Sequence, residues 1–169
     1  MTRDLEGKLA VITGASAGIG RVTAEVLASR GAEVWLAVRS AAKTQPVVDA
    51  IRAAGGRAEV FSLDLGDLAH VRSAADEIAS RGRPIDLLVN NAGLAGHRGL
   101  TKDGFEIQFG TNHLGHHAFT VRLVPRLAEA PAPRIVTVAS KSHYQAKSID
   151  WDALRKPTRT VAALPEYAV

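Results

Sequence analysis

Short, continuously apolar runs alternate along the chain with longer segments in which apolar residues recur every three or four positions. The run from Lys8 to Thr13 (Lys-Leu-Ala-Val-Ile-Thr) and the run from Val34 to Val38 do not alternate in polarity, so each predicts a strand covered on both faces. Between them Ile19, Val22, Val26 and Leu27 fall at i, i+3, i+7 and i+8, one stripe of a helix that Gly31 ends. Ser40 is placed to cap a next helix, with Val47, Val48, Ile51 and Ala54 on one face and Gly55-Gly56 as its stop. Val60 to Leu63 predicts a third strand, and Leu68, Val71, Ala75 and Ile78 a third helical stripe. Ile85 to Val89 and Arg134 to Val138 predict strands four and five, with a long helical region from about Asp103 to Glu129 between them. Strands separated by helices of 10–15 residues imply right-handed βαβ units. The expected fold class is α/β, a doubly wound parallel sheet of order 3-2-1-4-5.

Composition narrows the function classes. A chain of 169 residues, 46% hydrophobic, fits one domain (1–169) with a full core, and no repeat or linker divides it. The absence of cysteine excludes a disulfide scaffold and a cysteine-ligated zinc module. The longest apolar run, Val34 to Val38, is far short of the roughly 18 residues of a membrane span. The charged start Met-Thr-Arg-Asp-Leu-Glu does not read as a secretory signal, so a cytoplasmic protein without a membrane span is expected. Lys and Arg number 21 against 17 Asp and Glu, but they are scattered, and aromatic residues make up only 5%. With so few stacking platforms, nucleic-acid binding is not expected.

The first strand runs directly into Thr13-Gly14-Ala15-Ser16-Ala17-Gly18-Ile19-Gly20. Glycines at 14, 18 and 20 allow a tight turn and close approach of a pyrophosphate, and the helix that starts there offers free N–H groups and its positive dipole end. An ordinary strand-to-helix turn would also tolerate glycine, but the position at the first junction of a βαβ pattern favours a nucleotide. Gly14, Ser16, Gly18, Ile19 and Gly20 are the candidate cofactor contacts. An acid at the end of the second strand would bond the ribose hydroxyl of NAD; here that position is Val38, followed by Arg39. A guanidinium can grip a 2′-phosphate, so NADP is expected over NAD.

The spacing Thr-Gly-x-x-x-Gly-x-Gly resembles that of the short-chain dehydrogenase/reductase family, which carries a Rossmann fold. Three further motifs match in order: Asp64-Leu65 after the third strand, similar to the family's adenine-contacting acid and its neighbour; Asn90-Asn91-Ala92-Gly93 at the end of the fourth; and Arg134 to Ser140 at the fifth. The stretch Phe109-Gly-Thr-Asn-His-Leu-Gly-His-His117 is most similar to the retinol-dehydrogenase and protochlorophyllide-reductase-like branch. The resemblance implies hydride transfer between NADP and a small carbonyl or alcohol substrate, with Asn91, Ala92 and Gly93 lining the cofactor. It implies that Ser140 orients the substrate oxygen, that Asn112 holds a water in a proton relay, and that a tyrosine acts as acid/base.

The family tyrosine stands four residues before a lysine, and neither tyrosine here has that partner. Tyr144 is followed at that distance by Ser148. Tyr167 lies 27 residues after Ser140, a spacing that suits the branch if Ser148 to Thr160 is an insertion, and its lysine would be position 171. Tyr167 is therefore the catalytic candidate, in a domain expected to be incomplete at its C-terminus, without the later strands, and inactive as it stands. The full-length form is expected to be a homo-oligomer. The reading from another class is a non-catalytic dinucleotide-binding module or a gene remnant. His113, His116 and His117 share i, i+3, i+4 spacing, but no His-Glu-x-x-His pattern accompanies them, and no metal is expected. His70, His97 and His143 read as isolated surface residues.

Overall fold

The computed structural model describes residues 3–160 and 162–168. Five parallel strands, β1 (Leu9–Thr13), β2 (Glu33–Val38), β3 (Arg57–Ser62), β4 (Leu87–Asn90) and β5 (Arg134–Thr137), form one sheet in the order β3-β2-β1-β4-β5. Register pairs Leu9 with Glu33, Ala10 with Leu87, and Leu87 with Arg134. The order reverses between β1 and β4, which opens a crevice at the carboxyl ends of those two strands.

Apolar layers cover both faces. Along β1, Leu9 and Val11 point into one layer and Ala10 and Ile12 into the other, and all four are buried. One layer holds Val71, Ala75 and Ile78 of α3 (Leu68–Ser80) and Phe119, Leu123 and Leu127 of α4 (His116–Ala128). The other holds Ala24 and Ala28 of α1 (Gly18–Ser29) with Val47, Val48 and Ile51 of α2 (Ala41–Ala53). A strand buried on both sides needs no polar alternation, which is why the continuous runs mark the sheet.

Several boundaries differ from the sequence pattern. The apolar stripe of α1 does not face the core: Ile19, Val22 and Val26 are 68%, 57% and 45% exposed, and the inward face is Gly20, Ala24 and Ala28. The helix lies too close for larger residues there; a Cβ on Gly20 would stand 2.6 Å from the Gly14 carbonyl oxygen. Ala54 caps α2 in an exposed position rather than sharing its buried face. Strand β3 begins at Arg57, ahead of the apolar run, and β4 begins at Leu87, because Ile85 is buried in the approach to it.

The helical region does not begin at Asp103. Gly104, with φ +77°, closes a turn there, and the Asp103 carboxylate accepts from the Leu68 N–H to cap α3. A π-helical turn (Phe109–Gly115) then precedes α4. At the other end, all four residues of β5 are exposed, and Ile135 and Val136 stand about half exposed on its two faces.

Candidate active site

The glycine turn is built by steric exclusion. Gly14 has φ +69°, and a Cβ on it would lie 2.7 Å from the Ala92 Cα, so the turn after β1 and the turn after β4 touch backbone to backbone. Gly18 has φ +57° and open space where its Cβ would be. Ala17, extended at φ −160°, supplies no side-chain cap, so the first N–H groups of α1 carry no side-chain partner. That leaves donors at a positive helix end beside an open surface, the arrangement that binds phosphate.

Thr13 joins the two turns. Its buried hydroxyl accepts from the backbone N–H groups of Asn91 and Ala92, both at 2.9 Å. The Asn91 amide returns the bond, donating to the carbonyls of Thr13 (2.9 Å) and Gly14 (3.3 Å). Asn90 donates to the Thr120 hydroxyl and fastens α4 to the end of β4.

Asn112 sits within the π-helical turn, and its side chain grips the backbone of Leu94 twice. Oδ1 accepts from the Leu94 N–H at 2.9 Å, and Nδ2 donates to the Leu94 carbonyl at 2.8 Å. That side chain is therefore committed to the loop after Gly93, and what Asn112 offers the cleft is its place in the backbone. A turn widened by one residue re-aims the groups it carries, a common device at functional sites.

A cleft of about 400 Å³ lies over these elements. Its walls include Asn91, Ala92 and Gly93 from one side, Asn112 and His113 from the π-helical turn, Ser140 and His143 beyond β5, and Tyr167 from α5 (Leu164–Tyr167). The three catalytic candidates, Asn112, Ser140 and Tyr167, thus share one cavity with three of the cofactor candidates. Ser140 is held at the start of a short 3₁₀ turn, where its Oγ accepts from the Ser142 N–H. Tyr144 points away and is 83% exposed.

The other cofactor candidates lie outside that cavity. Arg39 is exposed just past β2, and Asp64 accepts from the Gly66 N–H in a tight turn after β3, with Leu65 buried beside it. The carbonyl of Leu65 presses on Gly115, where no Cβ would fit. Ser16 and Ile19 belong to the glycine turn, Ser16 half-buried and Ile19 exposed.

The three clustered histidines do not share a face. His113 and His117 are exposed and stack with centroids 6.4 Å apart, whereas His116 turns inward and is 5% exposed. Among the described residues no group of three or more His, Cys, Asp or Glu side chains converges as a metal site. His143 is not an isolated surface residue, because it lines the cleft and its Nδ1 lies 2.6 Å from the Ser140 carbonyl oxygen.

Two buried polar residues went unnoticed in the sequence. The Glu106 carboxylate accepts from the N–H groups of Gln108 and Phe109 and from the Thr158 hydroxyl. Gln108 accepts from the Gly96 N–H and donates to the Ala163 carbonyl. Together they fasten the segment leading to Tyr167 onto the start of the π-helical turn, and Arg155 stacking on Phe105 adds to the hold. A paired acid and amide in an otherwise amphipathic stretch is the signal that could have revealed them.

Comparison with known proteins agrees with this geometry. Residues 8–149 match the short-chain dehydrogenase family. The chain is 41% identical over 143 residues to retinol dehydrogenase 11 of Mus musculus, covering 83% of this chain and 45% of that protein. The crystal structure of an uncharacterized protein from Mycobacterium paratuberculosis superposes with a TM-score of 0.83 at 41% identity, covering 99% of this chain and 60% of that one. A metagenomic short-chain oxidoreductase solved in complex with NADP superposes with a TM-score of 0.72 at 33% identity, covering 82% and 64%. The chain spans about half the length of the curated relatives it matches. With the strand order, the glycine turn, the Asn-Asn-Ala-Gly turn and the match over residues 8–149 in agreement, the chain belongs to the short-chain dehydrogenase family, whose members are oxidoreductases.

Proposed function

We propose that the chain binds NADP(H) across the crevice between β1 and β4 and serves hydride transfer to or from a small carbonyl or alcohol. The observation that carries this reading is the pair of backbone turns at Gly14 and Ala92, in contact beside the uncapped start of α1 and next to the cleft that holds Ser140 and Tyr167. The cradle fits a dinucleotide: a Cβ at Gly14 would close it against Ala92, and the face of Gly18 is open for a phosphate.

The N–H groups at the start of α1 would hold the pyrophosphate, and Arg39 the 2′-phosphate. Asn91, Ala92 and Gly93 would line the ribose side, and Asp64 and Leu65 the adenine side. Once bound, the nicotinamide supplies or takes up the hydride. Ser140 is oriented by its turn so that its hydroxyl can donate to the substrate oxygen and stabilise charge that develops there. Tyr167 is the group in the same cleft able to pass a proton to that oxygen. The similarity to a retinol dehydrogenase supports an alcohol/aldehyde substrate class.

Titration with NADPH and with NADH, followed by nucleotide fluorescence, tests the reading. NADPH should bind more tightly, and Arg39→Ala should remove that difference. Absence of saturable binding for both nucleotides, or equal losses for both on Arg39→Ala, would overturn it.

A further inference from the structure

His116 lies behind the cleft and is not one of the residues assigned a role above. Its two ring nitrogens face different partners: Nδ1 is 2.8 Å from the Asn112 carbonyl oxygen, and Nε2 is 2.8 Å from the Thr13 hydroxyl. A carbonyl oxygen only accepts, so Nδ1 must carry a proton. In the neutral ring Nε2 is then an acceptor, and the Thr13 hydroxyl donates to it. That direction suits Thr13, whose oxygen already accepts from the N–H groups of Asn91 and Ala92. Every hydrogen-bonding site of this buried cluster is satisfied in one proton arrangement.

We infer that His116 is a positioning residue, a neutral imidazole of the Nδ1-protonated form that sets the π-helical turn of Asn112 against the dinucleotide turn at Thr13. The inference rests on the proposed dinucleotide site and adds the element that holds its two halves in register. Charging the ring would place a donor at Nε2 against a hydroxyl that already accepts two N–H groups. Thr13 would have to turn its own proton to the Val89 carbonyl, 3.4 Å away. Burial pushes the His116 pKa down, opposed by the bond to Asn112, and the like charge of neighbouring His113 pushes the same way as burial. Thr13 from β1 and Asn112 and His113 from the π-helical turn face the ring, and of these only His113 carries an ionisable side chain.

Imidazole nitrogen NMR on the wild-type chain, from about pH 8 to about pH 5, reads the arrangement directly. His116 should show the neutral Nδ1-protonated form at neutral pH and keep it below the ordinary imidazole pKa of about 6.5, and Thr13→Val should shift its Nε2 resonance. Binding of oxidised NADP, measured by calorimetry, reads the consequence. His116→Phe should weaken it by about fivefold or more, the worth of about one hydrogen bond. His116→Gln, which gives Thr13 an acceptor that does not titrate, should stay within about twofold of wild type at neutral pH and lose less affinity on acidification. A ring protonated at Nε2 alone, or charged at neutral pH, overturns the inference, as does a His116→Phe chain that binds like wild type. If the wild-type chain binds no NADP at any pH, the dinucleotide reading fails, and the spectra with Thr13→Val still decide the hydrogen-bond network.

Discussion

Replacing Thr13 with valine keeps the shape of a fully buried side chain at the end of β1 and removes one hydroxyl. The cost follows from what that oxygen does. It accepts from the backbone N–H groups of Asn91 and Ala92, each at 2.9 Å, and donates to His116 Nε2 at 2.8 Å. Three groups lose their partner at once, in a place where Thr13 and His116 are buried and the two amides partly so. An unsatisfied buried donor or acceptor costs about 1–3 kcal/mol, so three of them sum to about 3 kcal/mol even at the low end. In a chain of this size that corresponds to a fall in Tm of about 6–12 °C. Urea unfolding of wild type, Thr13→Val and Thr13→Ser, followed by tryptophan fluorescence, measures it. Serine keeps the hydroxyl and loses one methyl, so it should recover more than half of the loss. A valine variant within about 1 kcal/mol of wild type, with an unchanged denaturant slope, would refute the view that this hydroxyl joins the two turns.

Gly14→Ala should lower the unfolding midpoint and abolish NADPH binding, since the left-handed backbone costs a side chain about 1–2 kcal/mol and the new Cβ meets the Ala92 backbone at 2.7 Å; titration of the folded variant with NADPH checks it. Stability should fall on acidification below about pH 6.5, because burial lowers the His116 pKa and the unfolded chain therefore takes up this proton first. The loss is complete once pH passes below the folded value, nothing from this group changes above the unfolded one, and urea midpoints of wild type and His116→Gln across that window measure its share. Arg39→Ala should weaken NADPH by about 1.5–3 kcal/mol relative to NADH, the worth of a charge-assisted hydrogen bond. Extending the chain so that a lysine stands four positions after Tyr167 should raise NADPH-dependent aldehyde reduction at neutral pH by about tenfold over the same extension with alanine, since a positioned cation favours proton transfer by the phenol; equal rates would remove Tyr167 from the mechanism.

The sheet was legible because strands such as Leu9–Thr13 are buried on both faces and so carry an unbroken apolar run, with the strand order implied by the alternation of elements. The glycine turn was legible because Gly14 and Gly20 stand where any side chain collides with a backbone. The face of α1 was misread for a related reason: a helix packed that closely buries Gly20, Ala24 and Ala28 and turns its larger residues, Ile19 and Val22, outward. Periodicity could not reveal the π-helical turn, since widening one turn leaves composition unchanged while rotating His116 inward and His113 outward. The role of Thr13 and the hold of Glu106 and Gln108 on the Tyr167 segment come from contacts between distant positions, such as 13 with 116 and 108 with 163. No local pattern encodes those pairings.

The most direct test of the dinucleotide site is the map of backbone amide shifts when NADPH is added to the isotopically labelled chain. The largest changes should fall at Ser16 to Gly20, at Ala92 and Gly93, and just past β2 at Arg39, tracing one ligand across the crevice between β1 and β4. Saturable binding that leaves the amides of Gly18, Ile19 and Gly20 unmoved would contradict the account.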